Sequence, residues 1–245
     1  NGQVEGDESC DDGNLASGDG CTEACTNEAQ GLDCAEIYAQ NPDLPDGVYL
    51  IDPDGEGGQE PFDAYCDMTS AGGGWTLVLM TEKDDVESFR YDSPEWDSSD
   101  ALNPENLDPS MDLNMRSQGY SSVAVDDIRI DLVSLGNSHL YTRNAASAKA
   151  IFTGDTHEVS TPRDSFISWV GESPDNWANQ PNCNRAGFQV TAVGAHQGDC
   201  RYGILMNEQN DCGSTDSAIG LGCQVRDFET GYYNSAGASS WSPNQ

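Results

Sequence analysis

The chain has 245 residues, 43 acidic against 10 basic side chains, a net charge of -33 and a mean hydropathy of -0.61. Such a surface repels nucleic acid and anionic membranes, which excludes both as partners. Five Trp, nine Tyr and nine Cys are too many large or cross-linkable residues for an unfolded chain. The acidity therefore reads as an adaptation to a salty milieu, with a few carboxylates set aside for calcium, which takes about 6 to 8 oxygens per ion.

Residues 1–30, which include ESCDDGNLASGDGCTEACTNE, hold Cys10, Cys21 and Cys25 among Gly and Asp, with almost no large apolar side chain. So few apolar groups cannot offset the entropy of ordering the chain, so cross-links must hold this block. From residue 31 the texture changes to aromatic and β-branched clusters separated by turns, which sets two domains, 1–30 and 31–245. No Cys pair makes CxxC, and Cys21 and Cys25 lack histidines in zinc spacing. Disulfides are the default, and they place the chain in an oxidising compartment, secreted or at the cell surface. No apolar run reaches membrane-spanning length, so membrane insertion is not expected.

In chain order, Asp33 before CAEIYAQ signals a short helix with an acidic cap. GVYLI (47–51), PFDAYCDM (61–68) and GWTLVLM (74–80) read as three strands of a meander. DPDGEGGQEPFD (52–63) has acids at EF-hand positions but ends in Pro61 and lacks flanking helices, so it reads as a hairpin turn. The polar, proline-punctuated 83–120 reads as surface loops. DIRIDLVSL (127–135), SFISWVG (165–171), AGFQVTAV (186–193) and CRYGILM (200–206) read as strands, NAASAKAIF (144–152) as a short helix, and the chain after Met206 as loop. Strands and short helices without βαβ rhythm make the class α+β, with mixed or antiparallel sheets and long loops.

MNEQNDCGSTDSAIG (206–220) places Asn207, Glu208, Asn210, Asp211 and Asp216 in one irregular loop, hard oxygen donors that suit Ca²⁺. Tyr232, Tyr233 and Trp241 stand in a tail of low apolar content and are candidates for a sugar-packing wall, because sugar C–H faces pack on aromatic rings. No HExxH, GxSxG or phosphate loop is present, and His139, His157 and His196 are scattered, so no enzyme is expected.

DCAEIYAQ, GVYLIDPDG and AYCDMTSAGGGWTLV together resemble the opening of the fibrinogen C-terminal-like domain, including its intelectin branch and bacterial members. That resemblance implies a Cys34–Cys66 disulfide. It also implies a calcium loop over 206–220, where the ion itself receives a vicinal diol of a sugar. The loop lacks the histidine that intelectins carry there, so their preference among diols does not transfer. GYYNS (231–235) resembles the family's GWWYNSC, with Ala236 in place of the closing cysteine. For the last four cysteines, Cys183–Cys223 and Cys200–Cys212 is the preferred pairing, among three connectivities.

NGQVEGDESCDDGNLASGDGCTEAC resembles the cysteine-rich repeat of myxobacterial surface proteins, whose leading cysteine would fall just before Asn1. One of Cys10, Cys21 and Cys25 would then lack a partner within the chain. The tail SSWSPNQ reads as stopping short of the strand that usually closes such domains. The resemblance implies a secreted, calcium-dependent module that binds extracellular or cell-surface glycans. The alternative is a structural or adhesive protein-interaction module whose calcium only stabilises the fold.

Overall fold

The computed structural model describes residues 30–55, 58–82, 88–192, 198–213, 215–225 and 239–242. The N-terminal cysteine-rich block with Cys10, Cys21 and Cys25, and also Tyr232, Tyr233 and His196, lie outside the described residues. The elements, in order, are β1 (Gln30–Gly31), α1 (Cys34–Gln40), β2 (Gly47–Ile51), β3 (Phe62–Asp67), β4 (Trp75–Met80), β5 (Met115–Arg116) and α2 (Gly119–Ser122). There follow β6 (Val125–Leu132), β7 (Asn137–Ala145), α3 (Ala148–Thr153), β8 (His157–Glu158), α4 (Arg163–Trp169), β9 (Asn182–Thr191), β10 (Gly198–Asn207), β11 (Ser217–Val225) and β12 (Ser239–Ser242). One sheet runs β1-β2-β3-β4-β12-β6-β7, with β5 also on β4, and a second runs β11-β10-β9-β8. Every named pairing except β1 with β2 is antiparallel, in keeping with the α+β class.

The opening follows the sequence closely. The Asp33 side chain accepts from Glu36 N at 2.9 Å and caps α1, satisfying an amide that the helix itself cannot. Cys34 and Cys66 are bonded, with Cα atoms 5.5 Å apart, and both are fully buried. They lie in a small core with Ile37, Ile51, Phe62 and Ala64. The run 52–63 makes the β2–β3 hairpin connection, where Asp52 accepts from Gly55 N and Asp54 from Gln59 N. The glycines before Trp75 have a steric reason. Gly73 has φ +79, and a Cβ there would lie 2.4 Å from Met68 O and 2.5 Å from the Tyr38 ring. Only glycine fits this tight return, and it delivers Trp75, 2% exposed, into the sheet.

Four readings are corrected. SFISWVG lies in and just after α4, not in a strand: Phe166 and Ile167 are both buried, along with Trp169. A strand would turn neighbours 166 and 167 to opposite faces, whereas a helix shows both to one core. The region 137–145, given no element up to 143 and read as the start of a helix from 144, is strand β7. Its half-buried positions are Asn137, His139, Tyr141, Arg143 and Ala145, too polar to show an apolar period. The chain after Met206 is not all loop, since SAIGLGCQV is β11, paired along β10. SSWS is itself a strand, β12, and sits between β4 and β6 in the middle of the large sheet.

The main core lies where the two sheets and the helices α3 and α4 meet. It includes Val78, Ile128 and Ile130 from the large sheet, Phe188, Tyr202 and Ile204 from the small one, and Phe152 and Phe166 from the helices. Each such side chain contributes about 1.5–3 kcal/mol when fully buried. A polar thread crosses this core: Thr161 Oγ1 to Tyr141 Oη at 2.8 Å, Tyr141 Oη to Tyr202 Oη at 2.9 Å, and Tyr202 Oη to His139 Nδ1. One-way donation from Thr161 through both tyrosines to a neutral His139 satisfies every link. Burial pulls the His139 pKa down from 6.5 to about 4. The unfolded chain therefore binds the proton more readily than the folded one between those values. Stability is expected to fall by about 2–3 kcal/mol as pH drops from 6.5 to 4. Urea unfolding across that range checks this, and His139→Phe should flatten that part of the profile.

Candidate functional site

The loop 207–216 is built by the turn from β10 into β11. Asn207, at the end of β10, is fully buried and donates through Nδ2 to Asp211 O at 3.2 Å, which draws the loop back over the strand. The carboxylates of Glu208 and Asp216 meet at its mouth. A hydrogen bond with Asp216, then slight burial, then the like charge of Asp216 hold Glu208 above the ordinary carboxylate range. Glu208 N also lies 3.5 Å from Asp216 Oδ2, and the Asn182 side chain donates to Glu208 O at 2.8 Å. Asp211 instead spends Oδ1 on Gly213 N at 2.8 Å, and Asn210 is exposed. Of the five expected ligands the structure thus brings two carboxylates together. Among the described residues no group of three or more His, Cys, Asp or Glu converges as a metal cage.

The disulfides around this loop differ from the preferred pairing. The bonds are Cys183–Cys212 and Cys200–Cys223, with Cα separations of 4.8 and 4.0 Å. Sheet register is the reason, since Cys200 and Cys223 are direct cross-strand partners on β10 and β11. Cys183 opens β9 opposite Met206, within reach of Cys212 in the loop. The loop is therefore tied sideways to β9 rather than back onto β10. Peptide mapping under non-reducing conditions should recover the 183–212 and 200–223 cross-links; recovery of 200–212 would contradict this register.

Of the three aromatic residues expected to wall a sugar site, Tyr232 and Tyr233 lie outside the described residues, and only the backbone of Trp241 is described. The backbone of Trp241 pairs with Leu77 and Arg129 in the large sheet, while the loop 207–216 joins two strands of the small one.

A second concavity lies on the large sheet. A cleft of about 450 Å³ is lined from the start of β2, the end of β3, β6 and the β6–β7 turn, by residues that include Asp46, Tyr65, Asp67, Arg129, Asp131 and Ser138. Arg129 is its centre, donating from Nη2 to Asp67 at 2.7 Å and from Nε to Asp131 at 2.9 Å. Its guanidinium carbon stands 4.9 Å from the Trp75 ring centroid. Asp67 lies below the ordinary carboxylate range: hydrogen bonds from Ser70 N and Arg129, the Arg129 charge and Thr69 N outweigh its burial, the largest single influence. Asp131 lies above it, because burial outweighs the same arginine. Sequence reasoning missed this cleft. VDDIRIDL shows strand alternation, but its partner Asp67 is 62 residues away.

Comparison with known proteins bears on the same region. Residues 30–99 match the family described as fibrinogen beta and gamma chains, C-terminal globular domain. That segment is fibrinogen-like. It contains the Asp33-capped helix, the Cys34–Cys66 bond and the glycine turn into Trp75. Over longer stretches the chain is similar to microfibril-associated glycoprotein 4 of Homo sapiens, 30% identical over 150 residues, covering 61% of this chain and 54% of that protein. The Mus musculus protein of the same name is 31% identical over 163 residues, 66% of this chain and 57% of that one. Angiopoietin-related protein 7 of Bos taurus is 34% identical over 58 residues, 24% of this chain and 17% of the relative. The chain thus spans little more than half the length of the first two relatives. A solved fibrinogen-like globe domain of human ANGPTL6 aligns over 87% of this chain and 95% of its own, at 14% identity and a TM-score of 0.32. No helix among the described residues is long and apolar enough to cross a membrane.

Proposed function

We propose that the chain is a secreted, disulfide-stapled fibrinogen-like recognition module, with no catalytic role, that binds extracellular glycans through calcium held at the 207–216 loop. The observation that carries this is the Glu208–Asp216 pair. Two carboxylates sharing a loop mouth, one of them pushed towards protonation by the other, leave a site that a hard cation would relieve. Asn210 and Asp211 belong to the same loop and are the further oxygen donors this reading assigns to the ion. This set leaves coordination positions to water, which suits an ion that must exchange water for a ligand. Bound there, Ca²⁺ would supply a seat for vicinal sugar hydroxyls. The chain's own part is to hold Glu208 and Asp216 in place through Asn182, the buried Asn207 and the Cys183–Cys212 tie. The three disulfides among the described residues support an oxidising location. We keep the N-terminal cysteine-rich repeat and a bacterial source within this reading, on sequence resemblance.

A second reading has its own support. The relatives named microfibril-associated glycoprotein 4 carry a protein assembly in their name, which favours an adhesive, protein-interaction module whose calcium only stabilises the loop. A glycan array probed with and without calcium separates the two. The lectin reading expects spots that appear with calcium and vanish with EDTA. Silence in both conditions, with an intact calcium-dependent rise in melting temperature, would leave the adhesive reading in place.

A further inference from the structure

We propose that the outer edge of β7 is a docking surface for an extended, basic segment of a partner protein, which adds to the large sheet as a further strand. β7 ends the order β1-β2-β3-β4-β12-β6-β7, and among the described residues it pairs with β6 alone. No backbone bond among the described residues reaches its other side. Every residue of Asn137–Ala145 is half-buried or exposed, whereas most of β6 is buried. A row of unpaired amides and carbonyls is a template for another strand, and folded proteins usually blunt such an edge with lysine, proline or a very short strand. NSHLYTRNA has neither lysine nor proline and runs for 9 residues. Its arginine, Arg143, is turned to the inner face, where its guanidinium carbon stands 5.2 Å from the Phe188 ring centroid, so it does not guard the edge.

The outer face sets what the partner must carry. Alternation puts Ser138, Leu140, Thr142 and Asn144 on the side away from the core, and all four are exposed. Leu140 is 52% exposed, and Val133 and Leu135 in the β6–β7 connection are exposed as well, so half of the six large exposed apolar side chains among the described residues gather at this hairpin. Thr142 pairs with Asp127 on β6, which sets that carboxylate on the same face, one strand in from the edge. Asp127 has no hydrogen bond or ion pair among the described residues. Strands stand about 4.8 Å apart, so a lysine opposite Thr142 on an added strand lies two spacings from Asp127, within the joint reach of the two side chains. The fitting segment therefore alternates, with an apolar residue opposite Leu140 and a basic one opposite Thr142. The net charge of -33 draws such a segment in. A second copy of this chain is the poorer occupant, since it brings the same negative charge and its β7 has no basic side chain on the outer face.

This edge belongs to the large sheet and does not rest on calcium at the loop of the small one. The test is calorimetric titration of the whole chain, in EDTA, with an acetylated and amidated peptide as long as β7. In antiparallel register it has lysine opposite Thr142 and Asn144, valine opposite Leu140 and threonine elsewhere. Saturable binding is expected, at least about tenfold weaker when glutamate replaces both lysines. Asp127→Asn should weaken it severalfold, and Leu140→Lys, a change at an exposed position, should abolish it without moving the unfolding midpoint. Methylation of alternate peptide amides separates strand addition from mere attraction to an acidic protein: the set that faces β7 should lose binding and the other set should keep it. The Glu208→Gln, Asp216→Asn double variant should bind the peptide as the native chain does, which separates this surface from the calcium reading. No binding, the same behaviour from both methylated peptides, or binding that survives Leu140→Lys would overturn the proposal. Dimerisation of the native chain in sedimentation, lost in Leu140→Lys, would overturn the choice of occupant and give the edge to a second copy.

Discussion

Replacing Arg129 with Met should cost about 3–5 kcal/mol of stability, because removing one partner of a buried ion cluster strands the others. Asp67 and Asp131 would then face each other across the cleft without the guanidinium that now bonds both at 2.7 and 2.9 Å. The methionine would keep contact with Trp75 but lose the cation–π contact at 4.9 Å. The loss should also change with pH in a defined direction. In the native chain Asp67 lies below the ordinary carboxylate range, so its contribution is present at neutral pH and lost as acid protonates it. In the variant both acids are raised, so lowering the pH towards their new values should recover part of the deficit. Urea unfolding of both proteins at neutral and acidic pH measures this. A deficit under about 1 kcal/mol, or one that grows in acid, contradicts the described cluster.

The second large effect concerns Gly220 on β11. Its φ is +148, and an added Cβ would stand 2.2 Å from Tyr202 O and 2.5 Å from the Cα of Gly203, its cross-strand partner. These are backbone atoms in a sheet and have nowhere to go. Gly220→Ala should therefore cost more than about 3 kcal/mol and in practice prevent recovery of folded protein, through steric overlap added to a disfavoured backbone region. Gly55 provides the control. It also has positive φ, at +71, but nothing lies within 4 Å of its would-be Cβ. Gly55→Ala should cost about 1 kcal/mol, the backbone penalty without the clash. Similar effects from the two substitutions would mean that the β10–β11 register is wrong.

Those two glycines show why the sequence is legible in some parts and opaque in others. In the opening third, each signal is local. Asp33 caps the helix that follows it, the glycines turn the chain next to them, and the hairpin connects neighbours. The β11 strand is hidden because Gly220 and Gly222 read as loop, when Gly220 lets β11 close on the β10 backbone at Gly203 and Gly222 leaves room for the Trp96 and Arg201 side chains. The Cys183–Cys212 bond was opaque for a related reason: pairing follows sheet register, and register is a property of partners far apart in sequence. β12 has no apolar run of its own, and its partners β4 and β6 lie far earlier in the chain, so nothing local marks SSWS as a strand. At the candidate site the composition of the loop was readable, but its geometry was not. Asn207 turned inward and Asp211 was taken by a turn amide, which left Glu208 and Asp216 as the pair that meets.

The central claim is that Glu208 and Asp216 form a cation seat at the mouth of this loop. Calorimetric titration of calcium into the metal-stripped chain, beside the Glu208→Gln, Asp216→Asn variant, tests it most directly. The account predicts saturable binding to the native chain, weakened at least about tenfold in the variant, while the variant keeps its disulfides and its unfolding midpoint in EDTA. Equal calcium affinity in the two chains, or none in either, would contradict it.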